Sequence, residues 1–212
     1  MEKPTVIIPA RMWSTRFPGR PLFEVEGKPL VLKMWEEWTA AGYATYVASG
    51  DREILQAIPY KCAMYVPQAN NGTERCAKAA LQIGGEIGKP LKWVANVQCE
   101  FETLSPLPKL EQELPFPVCT YHTYLDNADG PDTVRVLTNS TRLATWFTRE
   151  PAGGYAHLGI YVMRGDLLQL YVKTPPQGLE ALESLEQMRW FEMGVPMGLI
   201  EYAGNVKVLH RG

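Results

Sequence analysis

The chain opens on a short apolar run, Val6-Ile7-Ile8, that stops at Pro9. The next patterned stretch is helical. Leu30, Met34 and Trp38 recur every four residues, with Val31 and Trp35 beside them, a spacing that predicts an amphipathic helix. Gly27-Lys28-Pro29 marks the turn before it, Pro29 suits the first helical position, and Gly42 ends it. The tryptophans on this stripe read as core rather than as a stacking platform. Tyr43 to Ala48 reads as a second strand, Asp51 as the cap of a short helix through Ile58, and Cys62 to Val66 as a third strand. A helix from about Thr73 to Ile83 and a strand from Leu91 to Val97 follow, then one or two helical turns over Pro108 to Leu114.

The second half is less regular. Thr133 to Leu137 and Leu143 to Phe147 flank Thr138-Asn139-Ser140-Thr141, a hairpin signal. His157 to Met163 reads as a strand and Asp166 to Val172 as a helix. Leu179 to Met193 reads as one amphipathic helix ended by Gly194, and Leu199 to Tyr202 as a last strand. The richest loops are Asn127 to Asp132 and Pro151 to Tyr155. Strand-helix alternation predicts an α/β fold, a mostly parallel sheet with helices on both faces. The 212 residues read as one domain, with a regular part over about 1–115 and a smaller mixed α/β part over about 116–212.

Charge changes the picture little. Twenty-one Lys and Arg against 23 Asp and Glu give a net charge of −2, so any anion site must be local, and neither nucleic acid nor membrane is an expected partner. No apolar run approaches the ~20 residues needed to span a bilayer. Met1-Glu2-Lys3-Pro4 leads straight into a strand and does not read as a signal peptide. Cys62, Cys76, Cys99 and Cys119 show no CxxC spacing, which argues against zinc and for reduced thiols in the cytoplasm.

The chemistry concentrates after the first strand. Residues 9–20 hold Arg11, Arg16 and Arg20 with Ser14, Thr15 and Gly19. Strand ends in parallel sheets face ligand crevices, and guanidinium forks match phosphate oxygens. Charge alone also fits an ordinary solvated basic loop. Gln98, like Arg11, lies just past a strand end, so both face one crevice.

The order of residues decides between these readings. Val6 to Leu22, VIIPARMWSTRFPGRPL, resembles the nucleotide loop of the cytidylyltransferases that activate 3-deoxy-manno-octulosonate, whose pattern is roughly IPAR-x-x-STR-x-PGKPL, with Arg20 in place of Lys. Asn71-Gly72-Thr73-Glu74-Arg75 resembles SGTER, Asn96-Val97-Gln98-Cys99-Glu100 resembles NVQGD, and Trp146-Phe147-Thr148-Arg149 resembles YFSR. His157-Leu158-Gly159-Ile160-Tyr161 matches HLGIY, and Leu185-Glu186-Gln187-Met188-Arg189 resembles LEQLR. The resemblance runs from about Thr5 to Gly204.

It implies a nucleotide-diphospho-sugar transferase-like fold, with the first part binding nucleotide and the second binding sugar and forming a homodimer. It implies transfer of CMP from CTP to a 2-keto sugar acid for lipopolysaccharide biosynthesis, with Mg2+. Ala10, Arg11, Ser14, Thr15, Arg16, Arg20, Gly72, Thr73 and Arg75 would then bind the nucleotide. Gln98, Arg149, His157, Tyr161, Glu186 and Gln187 would meet the sugar acid. Arg11, Arg20 and Glu100 would serve catalysis, with Glu100 also at the metal. From the residues alone, Thr73 reads as a helix cap that leaves first-turn N–H groups facing an anion. A helical Glu186-Gln187 pair reads as a solvated face, and a lone His157 as a structural residue.

The departures fall at the metal. The family's QGDEP appears as Gln98-Cys99-Glu100-Phe101-Glu102, and its C-terminal aspartate segment as Gly204-Asn205-Val206-Lys207-Val208. Cys99 lacks glycine's freedom of φ, Glu100 is one methylene longer than Asp, Asn205 is a weak ligand and Lys207 repels cations. The sequence therefore leaves an enzyme with an altered acceptor, a binding homologue without turnover, or a carboxylate supplied by a partner chain. The retained sugar-side residues favour the enzyme.

Overall fold

The computed structural model describes residues 2–14, 17–112, 114–125, 133–151, 153–176 and 178–210. Thr15, Arg16 and the loop Asn127 to Asp132 lie outside the described residues.

The continuous apolar run becomes β1 (Thr5–Pro9), with Val6, Ile7 and Ile8 fully buried. Such a run suits a parallel strand covered on both faces. β2 (Glu24–Val25) and β3 (Lys28–Pro29) form a small ribbon leading into α1 (Leu30–Ala40). β4 (Thr45–Ser49), α2 (Arg52–Gln56), β5 (Ala63–Tyr65), α3 (Gly72–Glu86) and β6 (Trp93–Val97) follow. β1 pairs in parallel with β4 and β6, and β4 with β5. Val6 and Ile8 pack on one face with Leu30, Val31, Met34 and Trp38 of α1. Ile7 faces the other way, toward Cys76, Ala77, Ala80 and Ile83 of α3.

The second half extends the same sheet. β7 (Phe101–Ser105) leads to β8 (Val118–Thr123), then β9 (Arg135–Thr138), β10 (Ala144–Thr148) and β11 (Tyr155–Arg164). β11 runs antiparallel to β6, β8 and β9. This joins the parallel half to the mixed half and sets His157 to Tyr161 beside the end of β6. α4 (Gly165–Lys173), α5 (Gly178–Glu183), α6 (Met188–Glu192), β12 (Met197–Glu201) and β13 (Asn205–Val208) complete the order. The described strands form one nine-stranded α/β sheet and two small two-stranded ones. No described helix is long and apolar enough to cross a membrane.

Two helical expectations are corrected, and a strand appears where none was expected. Residues 108–112 and 114 form no helix; their backbone bonds to tyrosine side chains instead, the Leu110 N–H donating to the Tyr43 hydroxyl at 3.1 Å and the Tyr121 hydroxyl donating to the Lys109 carbonyl at 2.8 Å. Phe101 to Ser105 is a strand that no local pattern announces, paired antiparallel with the C-terminal β13. The Leu179–Met193 helix is broken. Ser184 takes φ 53°, a left-handed conformation that no L-residue continues as an α-helix, and Leu185-Glu186-Gln187 separate α5 from α6.

Candidate active site

One cleft of about 470 Å3 opens at the carboxyl ends of β1 and β6. Ala10, Arg11, Ser14, Arg20, Gly72, Arg75, Gln98, Glu100, Arg149, His157, Tyr161, Glu186 and Gln187 all line it. Residues that the sequence scatters over most of its length therefore share one wall system. Thr73 sits just behind, fully buried.

The basic loop is tied at its base. The Asp51 carboxylate accepts from the Met12 N–H at 2.8 Å, so Asp51 starts α2 without a side-chain cap, a correction to its expected role. The Gly19 N–H donates to the Met12 carbonyl at 2.9 Å. Gly19 takes φ 77° there, which glycine adopts without strain. Arg11 is exposed in the cleft. Arg75 is buried and donates to the Val66 carbonyl. Burial pulls the Arg75 guanidinium below its usual range, Asp51 pulls it back up, and the Arg11 charge pushes it down again. Two guanidiniums that repel one another across a cleft wall favour an anion between them.

The other wall is organised around Glu186, whose carboxylate sits at the start of α3. Asn71, not Thr73, caps the helix by accepting from the Glu74 N–H at 2.7 Å. The first-turn N–H groups do meet an anion, but it is the chain's own Glu186. Its carboxylate accepts from the Gly72 N–H at 2.7 Å, the Thr73 N–H at 3.2 Å and the Thr73 hydroxyl at 2.8 Å. The Gln98 amide donates to it at 2.8 Å. Burial raises the Glu186 carboxyl above its ordinary range, although these hydrogen bonds favour the charged form. Glu186 is thus neither helical nor on a solvated face. Beneath it, Arg189 is fully buried in a bidentate pair with Glu180, which accepts from the Asn71 amide.

Gln187 is 3% exposed. Its Oε1 lies 3.4 Å from the Tyr161 hydroxyl, and its Nε2 has no hydrogen-bond partner among the described residues. A buried donor without a partner, on a cleft wall, is placed for a ligand acceptor. Arg149 lies near the Ser184 carbonyl at 3.4 Å. The glycine of the HLGIY segment has a spatial reason. A Cβ at Gly159 would stand 2.7 Å from Glu100 Oε1 and 3.0 Å from the Gln98 side chain.

The metal corner differs from expectation. Glu100 faces Arg20, Oε2 to Nη1 at 3.5 Å. Cys99 does not adopt positive φ and is buried, its thiol pushed up to about 12 by burial, so it is a neutral packing residue. Asn205 is exposed and pairs with Ser105 outside the cleft, and Lys207 turns away to Glu102 at 2.7 Å. Asn205 is therefore not a ligand candidate here. Val208, Leu209 and His210 line the cleft instead, the Leu209 N–H donating to the Glu100 carbonyl at 2.8 Å. Among the described residues no three His, Cys, Asp or Glu side chains group as a metal site. A cage of protein carboxylates does not fit this corner, whereas a single Glu100 contact to a cation carried by a ligand does.

Sequence reasoning passed over Asn71, whose place before Gly-Thr-Glu was a cap signal, and the role of Asp51 in tying the loop. No sequence signal placed Val208 to His210 at the cleft.

The fold and this cleft define a nucleotidyltransferase. A cytidylyltransferase family profile matches residues 5–106. The 3-deoxy-manno-octulosonate cytidylyltransferase of Geobacter sulfurreducens is 33% identical over 94% of this chain and 91% of its own. The 8-amino-3,8-dideoxy-manno-octulosonate cytidylyltransferase of Shewanella woodyi is 32% identical over 90% and 86%. The solved structure of a CMP:2-keto-3-deoxy-manno-octonic acid synthetase complexed with CTP superposes with a TM-score of 0.78 at 28% identity, covering 99% of this chain and 93% of that one. The chain belongs to the 3-deoxy-manno-octulosonate cytidylyltransferase family.

Proposed function

We propose that the protein transfers CMP from CTP to a 2-keto-3-deoxy sugar acid. The anomeric hydroxyl oxygen attacks the α-phosphorus, the bond to the bridging oxygen of the β-phosphate breaks, pyrophosphate leaves and the hydroxyl proton passes to water. The observation that carries this reading is the joining of two unlike walls in one cleft. One is rich in arginine and suits a triphosphate, and the other is a fixed set of hydrogen-bond donors and acceptors that suits a polyol acid. Arg11, Arg20 and Arg75 neutralise and orient the triphosphate, so positioning and charge carry most of the chemistry. Arg149 and the Gln187 Nε2 donor face the sugar acid. Mg2+ would enter with the nucleotide substrate, and Glu100 is the residue that would hold it. The protein acts in the cytoplasm as a homodimer and supplies an activated sugar for lipopolysaccharide assembly.

The Glu100–Arg20 pair favours a second reading, nucleotide binding without turnover. Pyrophosphate release from CTP separates the two. The assay uses 3-deoxy-manno-octulosonate, its 8-amino analogue and a neutral ketose as acceptors. Release with at least one acid and none with the neutral ketose supports transfer. CTP binding with no release from either acid establishes the second reading. Glu100→Gln is expected to lower kcat/KM about 10- to 100-fold, the loss of one charged contact.

A further inference from the structure

The family motifs leave unexplained what holds the His157 ring. β11 carries a bulge where it pairs with β8: His157 and Leu158 lie opposite His122 and Tyr121, but the next partner of Thr120 is Tyr161. A bulge leaves backbone groups out of the ladder. Thr120, fully buried on β8, answers for them. Its hydroxyl lies 2.8 Å from the Ile160 carbonyl and 3.4 Å from the Leu158 carbonyl. The same oxygen is 2.9 Å from His157 Nε2.

A hydroxyl has one proton to give and two lone pairs to receive. If it gives its proton to Ile160, the imidazole must bring its own on Nε2. If it gives it to the imidazole, the buried Ile160 carbonyl loses this donor, a costly choice. From this geometry we propose that Thr120 is a positioning residue, which holds His157 as the Nε2–H tautomer and leaves Nδ1 as a hydrogen-bond acceptor for a hydroxyl of the sugar acid. The proposal rests on the sugar-acid reading above and deepens it. The ring is held from its sides as well. Phe147 meets it edge-on at 5.1 Å between centroids and Tyr161 at 5.3 Å, so the ring does not turn to reverse its nitrogens. Burial next to His122 lowers the His157 pKa to about 3, so the ring stays neutral at working pH. His157 thus accepts from the substrate, complementing the Gln187 Nε2 that donates.

The test uses 15N-histidine-labelled protein. The chain has three histidines, and His157→Gln identifies the resonances of His157. The wild type is expected to show a protonated Nε2 and a bare Nδ1 at pH 7. Thr120→Val is expected to move His157 toward the other tautomer. It raises KM for the sugar acid about 10-fold, the value of one neutral hydrogen bond, and leaves KM for CTP unchanged. Thr120→Ser restores both. A wild-type Nδ1–H tautomer overturns the proposal, as does a Thr120→Val protein that keeps the Nε2–H tautomer. A shifted tautomer with unchanged KM for the sugar acid overturns the substrate role. The NMR readout needs no substrate, so the tautomer is measured independently of whether any sugar acid is turned over.

Discussion

On the wall made by Gln98, His157, Tyr161 and Glu186, polar groups are held by partners inside the protein. Glu186 alone accepts four hydrogen bonds, and His157 is fixed by Thr120 and two rings. On the facing wall Arg11 stands exposed, and the described part of the loop is held by Asp51 and a few backbone bonds. The difference follows from what each wall would meet. A sugar acid is recognised by donors and acceptors whose positions must be fixed beforehand. A triphosphate with about four negative charges is held first by charge close by.

The largest expected break in this comparison comes from Arg11→Ala. It should lower kcat/KM for CTP about 100- to 1000-fold, the value of one preorganised charge, with no change in melting temperature. A fall in stability instead would place Arg11 in the scaffold. Next comes Glu186→Ala on the fixed wall. It leaves the Gly72 and Thr73 N–H groups without their acceptor and should cost about 1–3 kcal/mol in urea unfolding, together with a higher KM for the sugar acid. Unchanged stability would mean that the carboxylate is not the organiser described here. The last break appears only in acid. His157 is neutral when folded, with a pKa of about 3, whereas the unfolded chain takes up a proton below about 6.5. The unfolded state therefore binds more protons between those values, and stability falls as pH drops from about 6.5 toward 3. His122, also lowered by burial, acts in the same sense. His157→Gln should give a shallower stability slope over that window, and an equal slope would count against the buried neutral ring.

Much of the fixed scaffold was legible because it is local. The apolar run at Val6 to Ile8, the four-residue stripe of α1, and the hairpin around Asn139 each carry their own periodicity or turn chemistry. What escaped depends on distant partners. β7 has the burial pattern of a strand bent against one neighbour rather than an alternating one, and that neighbour lies about a hundred residues away in β13. The break at Ser184 carries no glycine or proline, and the apolar residues Leu182, Leu185 and Met188, each three apart, continue across it. Nothing local distinguishes Glu186 from a surface glutamate until α3 brings its N-terminus alongside. The cleft residues themselves were legible through family order, which brought thirteen described residues to one cleft. Thr120 had no such signal, since it acts only through His157.

Phosphorus NMR of the wild-type protein with CTP, Mg2+ and 3-deoxy-manno-octulosonate tests the central claim most directly. Transfer requires the three CTP resonances to give way, at equal rates, to a single phosphodiester signal and pyrophosphate, and only when the sugar acid is present. CTP resonances that broaden and shift on binding but persist unchanged in area, with the acid present, would contradict it.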